Sequence, residues 1–328
     1  MDNSSGNDAT RREALLSLLR LGGLGAGAAA LGVGLSTRSQ KPSDTAAPAA
    51  KRDFSVPAKP DLPEMSVIQN GEPAKLVRRA VDELGGIRRF VSRGDIVVVK
   101  PNVAWDRTPE QSANTNPEAV AEMVRMCLEA GAKKVIVTDV TINQAVRTFQ
   151  RSGIGAAARA AGAEVLLPEE RLFKSVDLKG DVLRSWQVFE PFLNADKMIN
   201  MPVAKHHSLC YVTLGMKNWY GILGGPRHQL HQRIHESLAD LANFMRPTLT
   251  VLDAYRVLLR NGPGGGALAD VALKKTVVAG TDPVAIDAYA AKGFWNLGPE
   301  QLPYLKMAAA KRLGAVAFEK VRTKTASL

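Results

Sequence analysis

Two cysteines in 328 residues are too few for a disulfide framework, or for an iron–sulfur cluster held by this chain alone. No iron–sulfur cluster is therefore expected. Aromatic residues make up 5% of the chain, and Lys and Arg, though in excess, never form a dense run. Base stacking beside a basic stripe is thus missing, and nucleic acid is not an expected partner. Acidic residues are outnumbered, 32 to 43, for a net charge of +11. That balance favours small anions or an acidic surface. No H-E-x-x-H metalloprotease helix and no G-x-S-x-G nucleophile elbow occurs. The one conspicuous glycine loop, Gly262-Pro263-Gly264-Gly265-Gly266, fits neither the P-loop nor the dinucleotide-binding pattern. Only one long apolar run is present, Leu15–Leu35, and it is diluted with glycine and alanine.

That run is preceded by Thr10-Arg11-Arg12-Glu13-Ala14-Leu15-Leu16 and followed by a Pro/Ser/Ala-rich tail. The pattern resembles a twin-arginine translocation signal. The resemblance implies export by the twin-arginine translocase to the periplasm or cell envelope, with Ala47-Pro48-Ala49 as a small-residue cleavage candidate. Its glycines make the run a weak permanent anchor, so membrane contact is expected only through this segment if it stays uncleaved. The expected organisation is signal and tail over 1–50, a linker over 51–64, an α/β domain over 65–315 and a C-terminal tail over 316–328.

Between these ends, short apolar runs alternate with helical periodicity. Asp95–Lys100 and Lys134–Thr138 read as strands buried on both faces. Glu72–Leu84 carries one helical apolar face, and Thr115-Asn116-Pro117-Glu118 opens a helix with a polar cap and Pro at its first turn. Gln144–Ala161 reads as a further helix, Ala163–Leu166, Lys197–Met201, Leu249–Leu252 and Thr276–Ala279 as strands. Asp282-Pro283 opens a helix through Lys292, and Pro299–Leu313 is the last. The alternation predicts an α/β fold: a mostly parallel sheet flanked by helices, in two lobes with a cleft between them. Ligands on such sheets gather at the carboxyl ends of strands. Lys100, Asn102, Asp139 and Asp253 lie at such ends, and Asn116 and Asp282 at helix starts; all six are ligand-binding candidates, with turn and helix capping as the alternative.

The densest chemistry lies in Asn200–His235, which holds all five histidines, Cys210, Lys205 and Lys217. Imidazole is both the usual acid–base group near neutral pH and the commonest metal ligand. His206, His207, Lys205 and Lys217 are the candidate catalytic groups, with Asn218 beside Lys217 as a ligand contact. In extended backbone adjacent side chains point to opposite sides, so at most one of His206 and His207 faces a pocket. A helix starting at Pro226 would put His228, His231 and His235 on one face. With His206, His207 and Cys210 these form a candidate set for a divalent metal. Cys127 reads as a small buried hydrophobe, although spacing leaves a Cys127–Cys210 bridge open.

Several blocks together resemble the bacterial and archaeal family called domain of unknown function 362. They are Val97–Asn102, Thr115-Asn116-Pro117, Ala130-Gly131-Ala132, Asn200-Met201-Pro202 with Lys205 and His206/His207, Gly215-Met216-Lys217-Asn218 with Gly221, Asn261-Gly262-Pro263 and Gly280–Ala285. Many members carry an eight-cysteine ferredoxin-like module that this chain lacks. One histidine usually follows the Pro-x-x-Lys element; either His206 or His207 corresponds to it. A fainter likeness, extending to Asp287, Tyr289 and Lys292, is to the nickel-pincer lactate racemase superfamily. It implies a metal-bearing nucleotide held by Lys205 or Lys217 and the histidines. The expected function is an exported protein that binds a metal or metal-containing cofactor and a small anionic substrate. The alternative is a non-catalytic envelope protein that binds an anion.

Overall fold

The computed structural model describes residues 52–328; the twin-arginine pair and the apolar run after it lie outside the described residues. The core strands are β1 (Met65–Gln69), β2 (Ile96–Pro101), β3 (Lys134–Val137), β4 (Glu164–Val165) and β5 (Lys197–Met201). They continue with β6 (Val203–His207), β7 (Tyr211–Thr213), β8 (Leu249–Leu258), β9 (Val271–Gly280) and β10 (Thr323–Ser327). They form one sheet in the order β10-β1-β9-β8-β5-β2-β3-β4, with β6 pairing β8 and β7. Only β9 runs against both neighbours on this path; the other pairs are parallel. The mostly parallel α/β sheet expected from the sequence is present.

Among the described residues seven helices flank it: α1 (Pro73–Glu83), α2 (Pro117–Glu129), α3 (Ala145–Arg151), α4 (Ile154–Ala160), α5 (Ile234–Phe244), α6 (Pro283–Trp295) and α7 (Pro303–Ala310). Strand periodicity of two splits the core between the two faces. Val97 and Val99 of β2 face a layer with Leu76 and Val77 of α1 and Val120 and Met123 of α2. Val98 faces the other layer, with Leu238 of α5, Ile286 of α6 and Leu305 of α7. Each fully buried aliphatic side chain contributes about 1.5–3 kcal/mol. Cys127 and Cys210 lie in opposite layers and both are free, so the bridge left open by spacing does not form.

Three features depart from the sequence reading. The Gln144–Ala161 helix breaks into α3 and α4 because Gly153 takes a left-handed φ of 73°, which ends a helix at little cost for glycine. Residues 227–233 form 3₁₀ turns, and α5 begins only at Ile234, so His228, His231 and His235 do not share one α-helical face. The C-terminal segment is not a tail throughout: β10 pairs in parallel with β1 along its whole length. The described residues fall within one compact unit, and the cleft opens at the edge of its sheet. Among the described residues no helix is long and apolar enough to cross a membrane.

The register sets up the site. Lys100 lies opposite Asn200 at the carboxyl ends of β2 and β5, and β3 stops one residue short of that level, with Val137 opposite Val99. Pro202, with no N–H to give a ladder, separates β5 from β6. Both nevertheless run along β8, with a register shift. The β6–β7 hairpin thus carries the chain onward past the strand ends, and Lys205 and His207 with it.

Candidate functional site

A cleft of about 340 Å³ lies at this edge, within the size range of small-molecule sites. Its floor is a buried ion pair: Lys100 Nζ donates to Asp139 Oδ1 at 2.7 Å, with Lys100 fully buried and Asp139 nearly so. Asp139 Oδ2 also accepts from Val103 N at 2.6 Å. Burial pulls the Lys100 ammonium down from its ordinary value, and Asp139 opposes that shift. Gly221 packs against this pair so closely that a Cβ there would fall 2.6 Å from Lys100 Nζ and closer still to Asp139. Glycine is required by that contact.

From the floor a chain of side-chain amides crosses the sheet edge. Lys205 Nζ donates to Asn102 Oδ1 (2.9 Å), and Asn102 Nδ2 to Asn218 Oδ1 (3.0 Å). Asn218 Nδ2 donates to Asn200 Oδ1 (2.8 Å), and Asn200 Nδ2 to Gly215 O (2.9 Å). Every amide in the chain is held in one orientation by the next. The turn that supplies Gly215 is itself anchored by buried Asp287 of α6, which accepts from Gly215 N (2.7 Å) and Met216 N (3.1 Å). Burial raises the Asp287 carboxyl to about 7.

Three cations line the cleft with no carboxylate in ion-pair range among the described residues: Lys205, Lys217 and Arg227. Lys205 is buried, donates also to Ala113 O at 2.6 Å, and is brought down to about 7 by burial and by the charge of Lys217. Lys217 opens a 3₁₀ turn, Lys217–Ile222. Residues three apart eclipse in such a turn, which sets the Lys217 ammonium 4.3 Å from the centre of the Tyr220 ring. Burial lowers Lys217 as well. Arg227 spends its N–H groups on the carbonyls of Val140, Thr141 and Tyr220, which tie the loop after β3 to the histidine segment. Its charge is left for the cleft.

The histidines separate. His207 lines the cleft, its Nδ1 accepts from Leu209 N at 3.1 Å, and its ring stacks on His231 with centroids 5.8 Å apart. Burial and the nearby cations take His207 down to about 2, so it is a neutral imidazole with its proton on Nε2. His231 and exposed His228 line the cleft as well. His206 points the other way, as extended backbone requires, and accepts from Gly262 N at 3.1 Å. His235 stacks on Tyr304 beyond the cleft, its Nδ1 buried without a partner. Cys210 is buried against Val212 O, and its thiol is pushed up to about 11 by burial.

The six side chains expected as metal ligands therefore do not all converge: His207, His228 and His231 share the cleft, and His206, Cys210 and His235 lie outside its lining. Among the described residues no group of three or more His, Cys, Asp or Glu is placed to hold a metal ion. The described residues therefore do not fit a metal held by protein ligands alone. Three further candidates fall outside the cleft. Asn116 caps α2, accepting from Glu118 N and donating its own N–H to Asp253. Asp253 also accepts from Tyr255 N. Asp282 caps α6 through Val284 N and Ala285 N, and holds Ala315 N. Conversely, Asn200, Arg227, Tyr220 and Trp105 belong to the site or its frame although sequence reasoning did not single them out. Arg227 follows directly on Gly224-Gly225-Pro226, and Tyr220 sits three residues after Lys217; both were within reach as signals.

Comparison with known proteins places this geometry in context. The thylakoid-associated protein sll1697 of Synechocystis sp. is 27% identical over 246 residues, covering 73% of this chain and 74% of that one. Among solved structures, the lactate racemase apoprotein of Thermoanaerobacterium thermosaccharolyticum matches with a TM-score of 0.39 and 11% identity, over 69% of this chain and 54% of that one. A Thermotoga maritima protein matches with a TM-score of 0.35 and 11% identity, over 74% and 59%. The chain thus spans little more than half the length of these two structures. Residues 97–292 match the family described as Domain of unknown function (DUF362). The strand ends, the amide chain and the Lys217 turn all fall inside that match, and the chain belongs to the DUF362 family.

Proposed function

We propose that this protein binds a small organic anion in the cleft and does proton chemistry on it. Lys217 and Arg227 hold the negative charge, and Lys205 is the acid–base group. The observation that carries this reading is Lys217: a buried ammonium that opens onto the cleft and has the face of Tyr220 as its partner. A buried cation without an opposite charge is costly unless a ligand supplies one. A lysine held near neutrality, as Lys205 is, suits proton transfer at physiological pH. Apolar groups at the mouth, Trp105, Ile142 and Leu209, suit a ligand with a hydrophobic body; Ile142 is 55% and Leu209 61% exposed. The twin-arginine-like N-terminus supports the further reading that the protein is exported and does this chemistry in the cell envelope.

The test is titration calorimetry with acetate, benzoate and phosphate against the wild type and Lys217→Gln. Binding of at least one anion is expected, weakened about tenfold or more in the variant, and falling as pH rises and the lysines lose their protons. Equal affinity in the two proteins, or no binding at all, would overturn the reading.

A further inference from the structure

We propose that Lys205 is an imine-forming amine, which condenses with an aldehyde or ketone that also carries a carboxylate or phosphate. This rests on the anion-binding reading of the cleft and gives that anion its reacting group. Three observations lead here. The first is placement: Lys205 is 1% exposed, yet its side chain forms part of the cleft wall. The second is the absence, among the described residues, of a carboxylate in ion-pair range that would keep it an ammonium. The third is its hydrogen bonding. A neutral amine has two N–H donors and one lone pair, and Lys205 has two acceptors, Ala113 O at 2.6 Å and Asn102 Oδ1 at 2.9 Å. With both protons directed at these oxygens, tetrahedral geometry leaves the lone pair as the free position on the nitrogen.

The Asn102 carbonyl cannot turn away, because its Nδ2 is committed to Asn218 and, through it, to Asn200. The amide chain therefore acts as a positioning device for the Lys205 nitrogen. Burial and nearby Lys217 favour the neutral amine, and Lys100 adds to them, while the charge of Asp139 opposes the shift. Lys217 and Arg227 provide the anchor for the anionic end of a ligand, and Trp105, Ile142 and Leu209 the surface for its apolar part.

In the step itself, the Nζ lone pair attacks the carbonyl carbon and the C–O π pair moves to oxygen. The two amine protons end on that oxygen, which leaves as one water while the C=N bond forms. No oxidant, reductant or further reactant is needed.

Reductive trapping tests this. The full chain is incubated with glyoxylate, 4-carboxybenzaldehyde or uncharged benzaldehyde, treated with sodium cyanoborohydride, and examined by intact mass and peptide mapping. One reduced adduct at Lys205 is expected with the two anionic aldehydes, formed at least tenfold faster than with benzaldehyde. Lys205→Arg keeps a cation and its donors but cannot form an imine; it is expected to fold, by thermal unfolding, and to give no adduct at that site. Benzoate binding measured on the same preparation separates the two ideas. If benzoate binds and Lys205 stays unmodified, the imine inference is wrong and the anion site stands. If neither occurs, the anion reading has failed as well. Adducts spread over surface lysines, at equal rates in wild type and Lys205→Arg, would also overturn the inference.

Discussion

Removing Asp139 is the sharpest test of how the cleft floor is held. In Asp139→Ala, fully buried Lys100 loses the carboxylate 2.7 Å away, and Val103 N loses its acceptor. Breaking a buried pair from one side costs about 3–5 kcal/mol, and an orphaned buried N–H about 1–3 kcal/mol. The first cost has a ceiling, because Lys100 can shed its proton. Doing so at pH 7 from an ordinary value of 10.5 costs about 1.4 kcal/mol per unit, or roughly 5 kcal/mol. A loss of about 5 kcal/mol overall is expected, against a total stability on the order of 5–15 kcal/mol for a natural domain. Urea unfolding followed by circular dichroism and tryptophan fluorescence measures it. The deficit should shrink towards pH 10. Lys100 titrates below its unfolded value, so in that window the unfolded chain binds more protons and stability rises with pH. Lys100→Met combined with Asp139→Asn removes both charges and leaves an oxygen for Val103 N; it should recover at least half of the loss. A cost under about 1 kcal/mol, or a double variant no better than the single one, would show that the pair does not hold this edge together.

Three further outcomes follow from the same geometry. Gly221→Ala should destabilise by at least the about 1–3 kcal/mol of an overpacked core and weaken anion binding, since its Cβ must displace the Lys100–Asp139 pair; unchanged unfolding midpoints would contradict the contact. Asp287→Asn should flatten the pH dependence of stability. The wild-type carboxyl is raised from 3.8 to about 7, so the folded chain holds its proton longer than the unfolded one, and stability falls as pH rises through that window. Asp253, raised to about 6, keeps part of the slope, and an identical pH profile in wild type and variant refutes the assignment. His235→Phe should be neutral or stabilise by up to about 1 kcal/mol, because it removes an unpartnered buried nitrogen and keeps the stack on Tyr304; a loss of more than that would mean the imidazole has a polar role.

The sequence by itself determined the layers. Val97-Val98-Val99 can be buried on both faces only inside a parallel sheet covered by helices, and Asn116-Pro117 and Asp282-Pro283 open helices because a capping oxygen and a fixed φ leave little else. Local chemistry also made His206 and His207 diverge, since neighbouring side chains on a strand must. Only the tertiary structure decided which residues meet. Lys100, Asn102, Asn200, Lys205 and Asn218 are up to 118 positions apart in the chain, and they come together because register aligns the ends of β2, β3 and β5 and Pro202 releases β6 beyond them. The same three-dimensional facts separated the histidines that spacing had grouped. A 3₁₀ turn repeats every three residues rather than every 3.6, which keeps His228 and His231 together at the cleft and leaves His235, in the α-helix that begins at Ile234, outside it.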